Sequence, residues 1–433
     1  MRYDKIDRSL FIANRKKFIK ELKTNSIAIF FSNDILPDSA DAYHRFRQNP
    51  DIFWLTGIDQ EETILVLYPD APNSEWREML FVRETNQEIA IWEGEKYTKE
   101  GATAQSGIDN VQWSQNFLKI LPPLMHAAEY CYLHLNEHNR YVSEADYADR
   151  RLTSEIRQRW PLHKYERSGP IMHKLRAIKS EIEIALIKQA CQITKKGFER
   201  LLKFVKPGVK EYEIEAEMIH EYVRNGSRGF AYEPIIASGF NANVLHYIAN
   251  DKECKAGDIL LLDCAAEYAN YNSDLTRAIP VSGRYTPRQK EVYNAVLSVM
   301  RQAMDMLRPG NVLKEYNDAV GLIMQEELVK LKLLTKEDIS RQDPKWPAYK
   351  KYFMHGTSHF LGLNVHDVGD HYRKFEPGMV FTCEPGIYIR EESIGIRIEN
   401  NIVITDGKPL DLMGDILIEA DEIEERMNSH KNA

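Results

Sequence analysis

Among the 433 residues, the two side chains best placed to do chemistry together are Asp263 and Asp274. Asp263 closes the run Gly257-Asp258-Ile259-Leu260-Leu261-Leu262-Asp263. Residues 264–269 lead on to Asn270-Tyr271-Asn272-Ser273-Asp274-Leu275-Thr276. The stretch reads as a hairpin. With Tyr268-Ala269 as a two-residue turn, the aspartates face each other with Cβ atoms about 4.5–5.5 Å apart. Carboxylates so close repel unless a proton or a cation lies between them. A surface aspartate would simply be solvated, but Asp263 ends an apolar run and is expected to be buried. A buried pair of acids needs a partner, and a metal ion is the simplest.

Three more segments carry polar side chains in suggestive patterns. In Gly395-Ile396-Arg397-Ile398-Glu399-Asn400-Asn401 the strand alternation puts Ile396 and Ile398 on one face and Arg397 and Glu399 on the other. Read alone, such a pair is also what a surface ion pair looks like. Gly378-Met379-Val380-Phe381-Thr382-Cys383-Glu384-Pro385-Gly386 is a strand ending in a glutamate before a turn. His355-Gly356-Thr357-Ser358-His359, with His366 seven residues on, gathers three histidines among glycines. It is not the His-Glu-x-x-His zinc helix, because no glutamate follows His355 and Gly356 and Gly362 disfavour a helix. Cys264 and Cys383 each neighbour an acid of interest, but the alternation turns their sulfurs toward the core.

The elements that must position these groups are legible around them. Ser180 and Glu183 form a capping box, and apolar residues recur at Ile182, Leu186, Ala190, Ile193, Gly197 and Leu201 with helical spacing. That helix stops at Lys206-Pro207-Gly208, and a second opens near Glu211-Tyr212 and closes at Asn225-Gly226. The order recurs. Thr286 caps a helix with Pro287 at its first position, Arg308-Pro309-Gly310 ends it, and Glu315-Tyr316 begins the next. Residues 170–433 are therefore expected to form an internally duplicated α+β domain, two helix pairs on a common sheet, unless the Pro-Gly turns coincide by chance. Residues 1–165 read as a smaller mixed α/β domain, with strand-like runs at 27–31, 64–67 and 79–82 and a boundary near Trp160-Pro161.

Composition excludes several classes of function. A net charge of −8 argues against general affinity for nucleic acid or anionic membranes. No apolar run approaches the roughly 20 residues of a membrane helix, and the charged N-terminus lacks a signal-peptide core. The 5 cysteines are scattered without Cys-x-x-Cys spacing, which suits a reducing compartment, so a cytoplasmic location is expected.

Together the motifs resemble those of aminopeptidase P, the Xaa-Pro aminopeptidase of the pita-bread metallopeptidases. The matching stretches are Leu-Leu-Asp-Cys-Ala-Ala-Glu-Tyr…Ser-Asp-Leu-Thr-Arg, His-Gly-Thr-Ser-His-Phe-Leu-Gly-Leu-Asn-Val-His-Asp-Val-Gly, Cys-Glu-Pro-Gly-Ile-Tyr and Gly-Ile-Arg-Ile-Glu-Asn. Phe-Arg-Gln-Asn-Pro-Asp-Ile-Phe-Trp-Leu-Thr-Gly, residues 46–57, resembles the family's first domain, so the likeness spans nearly the whole chain. The resemblance implies a pita-bread fold over the second domain. It implies that Asp263, Asp274, His359, Glu384 and Glu399 hold two divalent metal ions, with Asp274 and Glu399 bridging. It also implies that His246, His355, His366 and Arg397 line the substrate site. Asn400 departs from the pattern, since relatives often carry an acid there, and the segment between Tyr388 and Gly395 is short.

Four carboxylates and one imidazole form a hard set that favours manganese, magnesium or zinc. The resemblance narrows this to two Mn2+, with Co2+ or Zn2+ able to substitute. The expected chemistry is attack of a metal-bridging hydroxide on the amide carbonyl before a proline. His246 would hydrogen-bond the carbonyl oxygen, and Glu384 would carry the proton to the proline nitrogen. The substrates would be peptides with proline in second position. The alternatives are a prolidase acting on Xaa-Pro dipeptides, a metal-free creatinase, and a non-catalytic binding protein. The intact ligand set and a short tail of mixed charge speak against the last two. The resemblance further suggests a homo-oligomer, dimer or tetramer, with Trp92 at a subunit contact or, equally, an ordinary packed tryptophan.

Overall fold

The computed structural model describes residues 2–138, 140 and 144–429. They divide into two units: one runs from Asp4 to Arg176, the other begins at Ala177 and takes in residues 2 and 3. The division lies beyond Trp160-Pro161, so the boundaries expected at 165 and 170 move. Lys164–Arg167 adds a strand to the first sheet, and the helix Gly169–Arg176 follows it. Arg176 then donates to Asp51 at 2.6 Å. A sequence boundary drawn from a Pro-containing polar stretch cannot anticipate that buried ion pair.

In the first unit six strands form one mixed sheet, in the order Asn110–Trp113, Glu78–Val82, Ile64–Leu67, Ser26–Phe31, Tyr130–Leu133 and Lys164–Arg167. The central strand Ser26–Phe31 is buried at every position. Ile27, Ile29 and Phe31 face one cluster, and Phe30 packs edge-on against Phe18 on the other side. Cover on both faces explains a continuous apolar run where a half-exposed strand would alternate. The motif at 46–57 folds as the helix Pro50–Thr56. Asn49 accepts from the backbone N–H of Asp51 at 2.9 Å, and Gly57 ends the helix at φ +69°. A Cβ there would lie 2.2 Å from the Phe11 ring, so glycine is required twice over.

The second unit carries the duplication. Its helices are Glu181–Phe204 with Glu211–Arg224, and Pro287–Met306 with Leu313–Lys330. Both expected caps form: Ser180 with Glu183, and Thr286 with Gln289 behind Pro287. The two Pro-Gly breaks are superposable in their bonding. Gly208 and Gly310 both take φ +94°. The N–H of Gly208 bonds Cys254 and that of Gly310 bonds Phe375, and each partner's own N–H returns to the residue after the glycine. A strand follows each, Ile259–Asp263 and Val380–Cys383, so Asp263 and Glu384 occupy equivalent strand ends. The Glu-Tyr pairs are not equivalent, however. Glu211 opens its helix, whereas Glu315 lies two residues inside its own, and Tyr212 is 54% exposed while Tyr316 is 2% exposed. The shared break is structural, and the shared dipeptide is coincidence.

All strands of this unit pair antiparallel. Ile259–Asp263 lies between Ile235–Ser238 and Thr276–Pro280, Asn400–Val403 pairs with Val380–Cys383, and Gly386–Ile389 pairs with Ile394–Arg397. The N–H of Glu399 bonds the carbonyl of Thr276 at 3.1 Å and joins the two halves. One register differs from expectation. The hairpin turns at Ala269-Asn270, both with positive φ, and not at Tyr268-Ala269. Two left-handed residues make the turn whose twist suits a hairpin, and asparagine tolerates that conformation. Asp263 therefore faces Thr276, and Asp274 is displaced diagonally rather than set directly opposite. The tail, expected to be short and mixed in charge, forms the helix Ala420–Asn428, with residues 430–433 outside the described residues.

Candidate metal and substrate site

Ligand atoms of Asp274, His359 and Glu399 lie within 4.8 Å of one another. His359 sits on the loop before Val380–Cys383, held by its N–H to the Thr382 hydroxyl at 3.2 Å. Its Nδ1 meets the Phe360 carbonyl at 2.9 Å. A carbonyl can only accept, so Nδ1 carries a proton, and Nε2 is the ring atom turned toward the acids. That Nε2 is 3.4 Å from Asp274 and 3.6 Å from Glu384. His366 closes the same corner, its ring edge-on to His359 with centroids 4.2 Å apart. Glu399 accepts from the Thr276 hydroxyl at 2.6 Å.

Asp263 stands slightly apart. One oxygen accepts from the Tyr232 hydroxyl at 2.6 Å and the other from the guanidinium of Arg397. Arg397, expected to line the substrate site, is buried, and its three nitrogens donate to Asp263, to Tyr388 at 2.8 Å and to Thr276 at 3.1 Å. These bonds hold the guanidinium between Asp263, Thr276 and Tyr388. The bonds continue from the Tyr388 hydroxyl to Nε2 of His355 at 2.8 Å, and from His355 Nδ1 to the Gly356 carbonyl at 2.8 Å. Arginine only donates and a carbonyl only accepts, so with a neutral His355 the Tyr388 hydroxyl accepts from Arg397 and donates to Nε2, while Nδ1–H donates to Gly356. Burial, reinforced by Arg397, lowers the pKa of His355 to about 3.

The acids titrate in the opposite sense. Burial, then the charge of Asp263, raises the pKa of Asp274 well above the usual carboxylate range. Burial and Asp274 do the same to Glu399, and burial and Glu399 to Glu384. Such a cluster holds either protons or cations. His246 is the exception among the expected residues: it is exposed, on the loop after Ile235–Ser238, and adds to the field that keeps His355 neutral.

Five residues that sequence reasoning did not single out complete the site: Tyr232, Thr276, Arg277, Tyr388 and Asn401. Asn401 bridges the backbone of Asp274, accepting from its N–H at 3.0 Å and donating to its carbonyl at 2.7 Å. Arg277 is fully buried and donates to the carbonyls of Thr276, Glu399 and Leu417 and to Asn400 Oδ1. Asn400 in turn donates to Asp411 at 2.7 Å, so a carboxylate is present beside the position where relatives often place one. Arg277 had a readable signal, a lone charge inside an otherwise apolar strand. Cys264 and Cys383 are buried away from the acids, as the alternation requires.

Residues 185–406 match the model of metallopeptidase family M24, and residues 11–133 that of the aminopeptidase P N-terminal domain. The chain is 34% identical to the Xaa-Pro aminopeptidase of Escherichia coli (strain K12) across 98% of both proteins. Among solved structures, Pseudomonas aeruginosa aminopeptidase PepP superposes with a TM-score of 0.90 at 31% identity, over 99% of this chain and all of that one. Aminopeptidase P from E. coli with the inhibitor Pro-Leu superposes with a TM-score of 0.88 at 33% identity, over 99% and 100% of the two chains.

Proposed function

The chain belongs to metallopeptidase family M24, and from that premise we propose that it is an aminopeptidase that hydrolyses the bond between an N-terminal residue and a following proline. The observation that carries the reading is the convergence of Asp274, His359 and Glu399, with Glu384 beside His359. In this reading Asp263, Asp274, His359, Glu384 and Glu399 would hold two divalent ions. The residues fit such a pair: the donors are hard oxygens and one imidazole with Nε2 turned toward the acids, and the buried acids need neutralising. Mn2+ is the proposed metal, with Co2+ or Zn2+ able to replace it. When bound, the ions supply Lewis acidity and lower the pKa of a water held among these side chains.

The chain's own groups do the rest. Glu384 takes the water's proton and delivers it to the proline nitrogen. His246, exposed at the rim, donates to the carbonyl oxygen as negative charge develops there. His355 and His366 position the proline and the residues after it. Arg397 acts one step back, fixing Tyr388 and hence His355. Because His355 is neutral down to about pH 3, an acid limb of kcat above pH 5 belongs to another group.

The choice between an aminopeptidase and a prolidase is tested with matched substrates. In the presence of manganese, an Xaa-Pro-Yaa tripeptide should be cleaved with kcat/KM at least about tenfold above the Xaa-Pro dipeptide, the scale of one lost set of contacts. Efficient cleavage of the dipeptide alone would reverse the assignment.

A homo-oligomer, dimer or tetramer, is part of the proposal. Ile91 and Trp92 are 80% and 83% exposed on the short helix Gln87–Glu93, an apolar pair suited to a subunit contact. Trp92→Ala should shift the sedimentation profile toward smaller species; an unchanged profile at micromolar concentration removes Trp92 from the interface. Five free, buried cysteines support a reducing, cytoplasmic location, and among the described residues no helix is long and apolar enough to cross a membrane.

A further inference from the structure

We infer that Glu211 is the positioning residue for His246, its buried carboxylate tying together both ends of the loop that carries that histidine. The inference rests on the role given to His246 above.

The exposed ring of His246 is aimed by its neighbours. Leu245 and Tyr247 pack against the apolar cluster of Ile235, Ala237, Ala242, Leu261 and Tyr388, which turns the residue between them outward. What fixes those neighbours is Glu211, the first residue of the helix after the Pro207-Gly208 break. Its Oε1 accepts from the N–H of Ser238 at 2.8 Å and from the Ser238 hydroxyl at 2.7 Å, at the point where the loop leaves its strand. Its Oε2 accepts from the Tyr247 hydroxyl at 2.8 Å and from the N–H of Lys252 at 3.0 Å, where the loop returns. Four donors, two from each end, converge on one carboxylate with no exposed surface. Only an acceptor on both oxygens satisfies them; glutamine would present an N–H2 to two of the four.

A second brace comes from the same helix. Asn250, at φ +43°, accepts from the N–H of Ile236 at 3.0 Å and donates to Pro234 at 3.0 Å and to Glu215 at 3.1 Å. At the loop's other flank, Gly395 admits Ala242 so closely that a Cβ would lie 2.1 Å from its carbonyl oxygen. The second repeat uses its helix in a similar way, through different positions. On the corresponding helix of the second repeat, Asn317, its fifth residue, accepts from the N–H of Thr357 at 2.8 Å, and Tyr316, its fourth, accepts from the Ser358 hydroxyl at 3.1 Å. Those bonds hold the segment between His355 and His359. In each repeat, the N-terminal part of the helix after the Pro-Gly break secures a loop bearing site histidines.

The test is a double-mutant cycle on the manganese-loaded full chain with an Xaa-Pro-Yaa substrate. Glu211→Gln should lower kcat about tenfold, in the range of an outer hydrogen-bond partner, with KM and metal content unchanged. Tyr247→Phe, which removes one donor and leaves the rest of the clamp, should lower kcat in the same direction by less. In a His246→Ala background, Glu211→Gln should cost nothing further, because its effect is already lost. Equal losses in both backgrounds would show that Glu211 supports the fold and not His246. Wild-type kcat for both Glu211→Gln and Tyr247→Phe would overturn the inference outright. If His246→Ala alone keeps full kcat, the role of His246 fails first and the inference falls with it. Should Glu211→Gln not fold, Tyr247→Phe with and without His246→Ala gives the same discrimination.

Discussion

Asp274→Ala is expected to lose metal and turnover together. Asp274 is the acid with a carboxylate oxygen within 4.8 Å of the ligand atoms of both His359 and Glu399, and its backbone is clamped by Asn401 through two hydrogen bonds. Truncating the side chain should therefore leave the strand in place while removing a carboxylate from the centre of the cluster. The measurable consequences are fewer than two ions per chain by elemental analysis and a fall in kcat/KM of at least about 10³-fold, the scale of one preorganised charge partner in a closed site. Asp274→Asn separates charge from shape, because it keeps the volume and the clamp. It should lose metal nearly as completely. In the metal-free state the two variants should be more stable than the parent at neutral pH, since each removes one member of a buried group of like charges. That opposite sign distinguishes loss of a ligand from damage to the fold. Retained metal and retained turnover in Asp274→Ala would end the assignment of all five ligands, because they were proposed as one set.

How much of this was legible beforehand follows from the range of the interactions involved. Helix starts and stops were local, written in Ser180 with Glu183, in Thr286-Pro287 and in the two Pro-Gly breaks, and all of them appear in the fold. Asp263 and Glu384 were legible because each closes an apolar strand, whereas Asp274 and Glu399 lie between strands and came in through hairpin pairing, alternation and the resemblance. Register was not legible. Moving the turn from Tyr268-Ala269 to Ala269-Asn270 depends on two residues accepting positive φ, and a single-residue error changes which side chain faces Asp263. The bracing of the site was hidden for another reason. Arg277 reaches Leu417, and Tyr232 reaches Asp263, across separations that no spacing rule encodes. Alternation put Arg397 on the polar face with Glu399, and the resemblance placed it at the substrate site. Alternation gives the face but not what fills the space in front of it, and here that is Tyr388, Thr276 and Asp263.

Removing the metal should make the fold sensitive to pH in a direction set by the buried acids. Asp274, Glu384 and Glu399 all have pKa values raised by burial and by one another. In the unfolded chain these groups ionise near pH 4, whereas the folded, metal-free protein keeps their protons to higher pH. Over that window the native state binds more protons than the unfolded state, so stability must fall as pH rises, by about 1.4 kcal/mol per pH unit for each proton retained. Chelator-treated protein should thus melt at a lower temperature at pH 8 than at pH 5.5, the reverse of a protein held by ordinary surface ion pairs. The metal-loaded protein has the same acids neutralised by cations and should be nearly flat across this range. Binding must then expel the protons, so manganese titrated into the metal-free protein at pH 6 should release them, with calorimetric heats that depend on the ionisation enthalpy of the buffer. Uptake without proton release, together with a metal-free melting temperature that does not fall between pH 5.5 and 8, would mean that these carboxylates are solvated. Solvated acids would not need a cation, and the argument from burial to metal would fail at its first step.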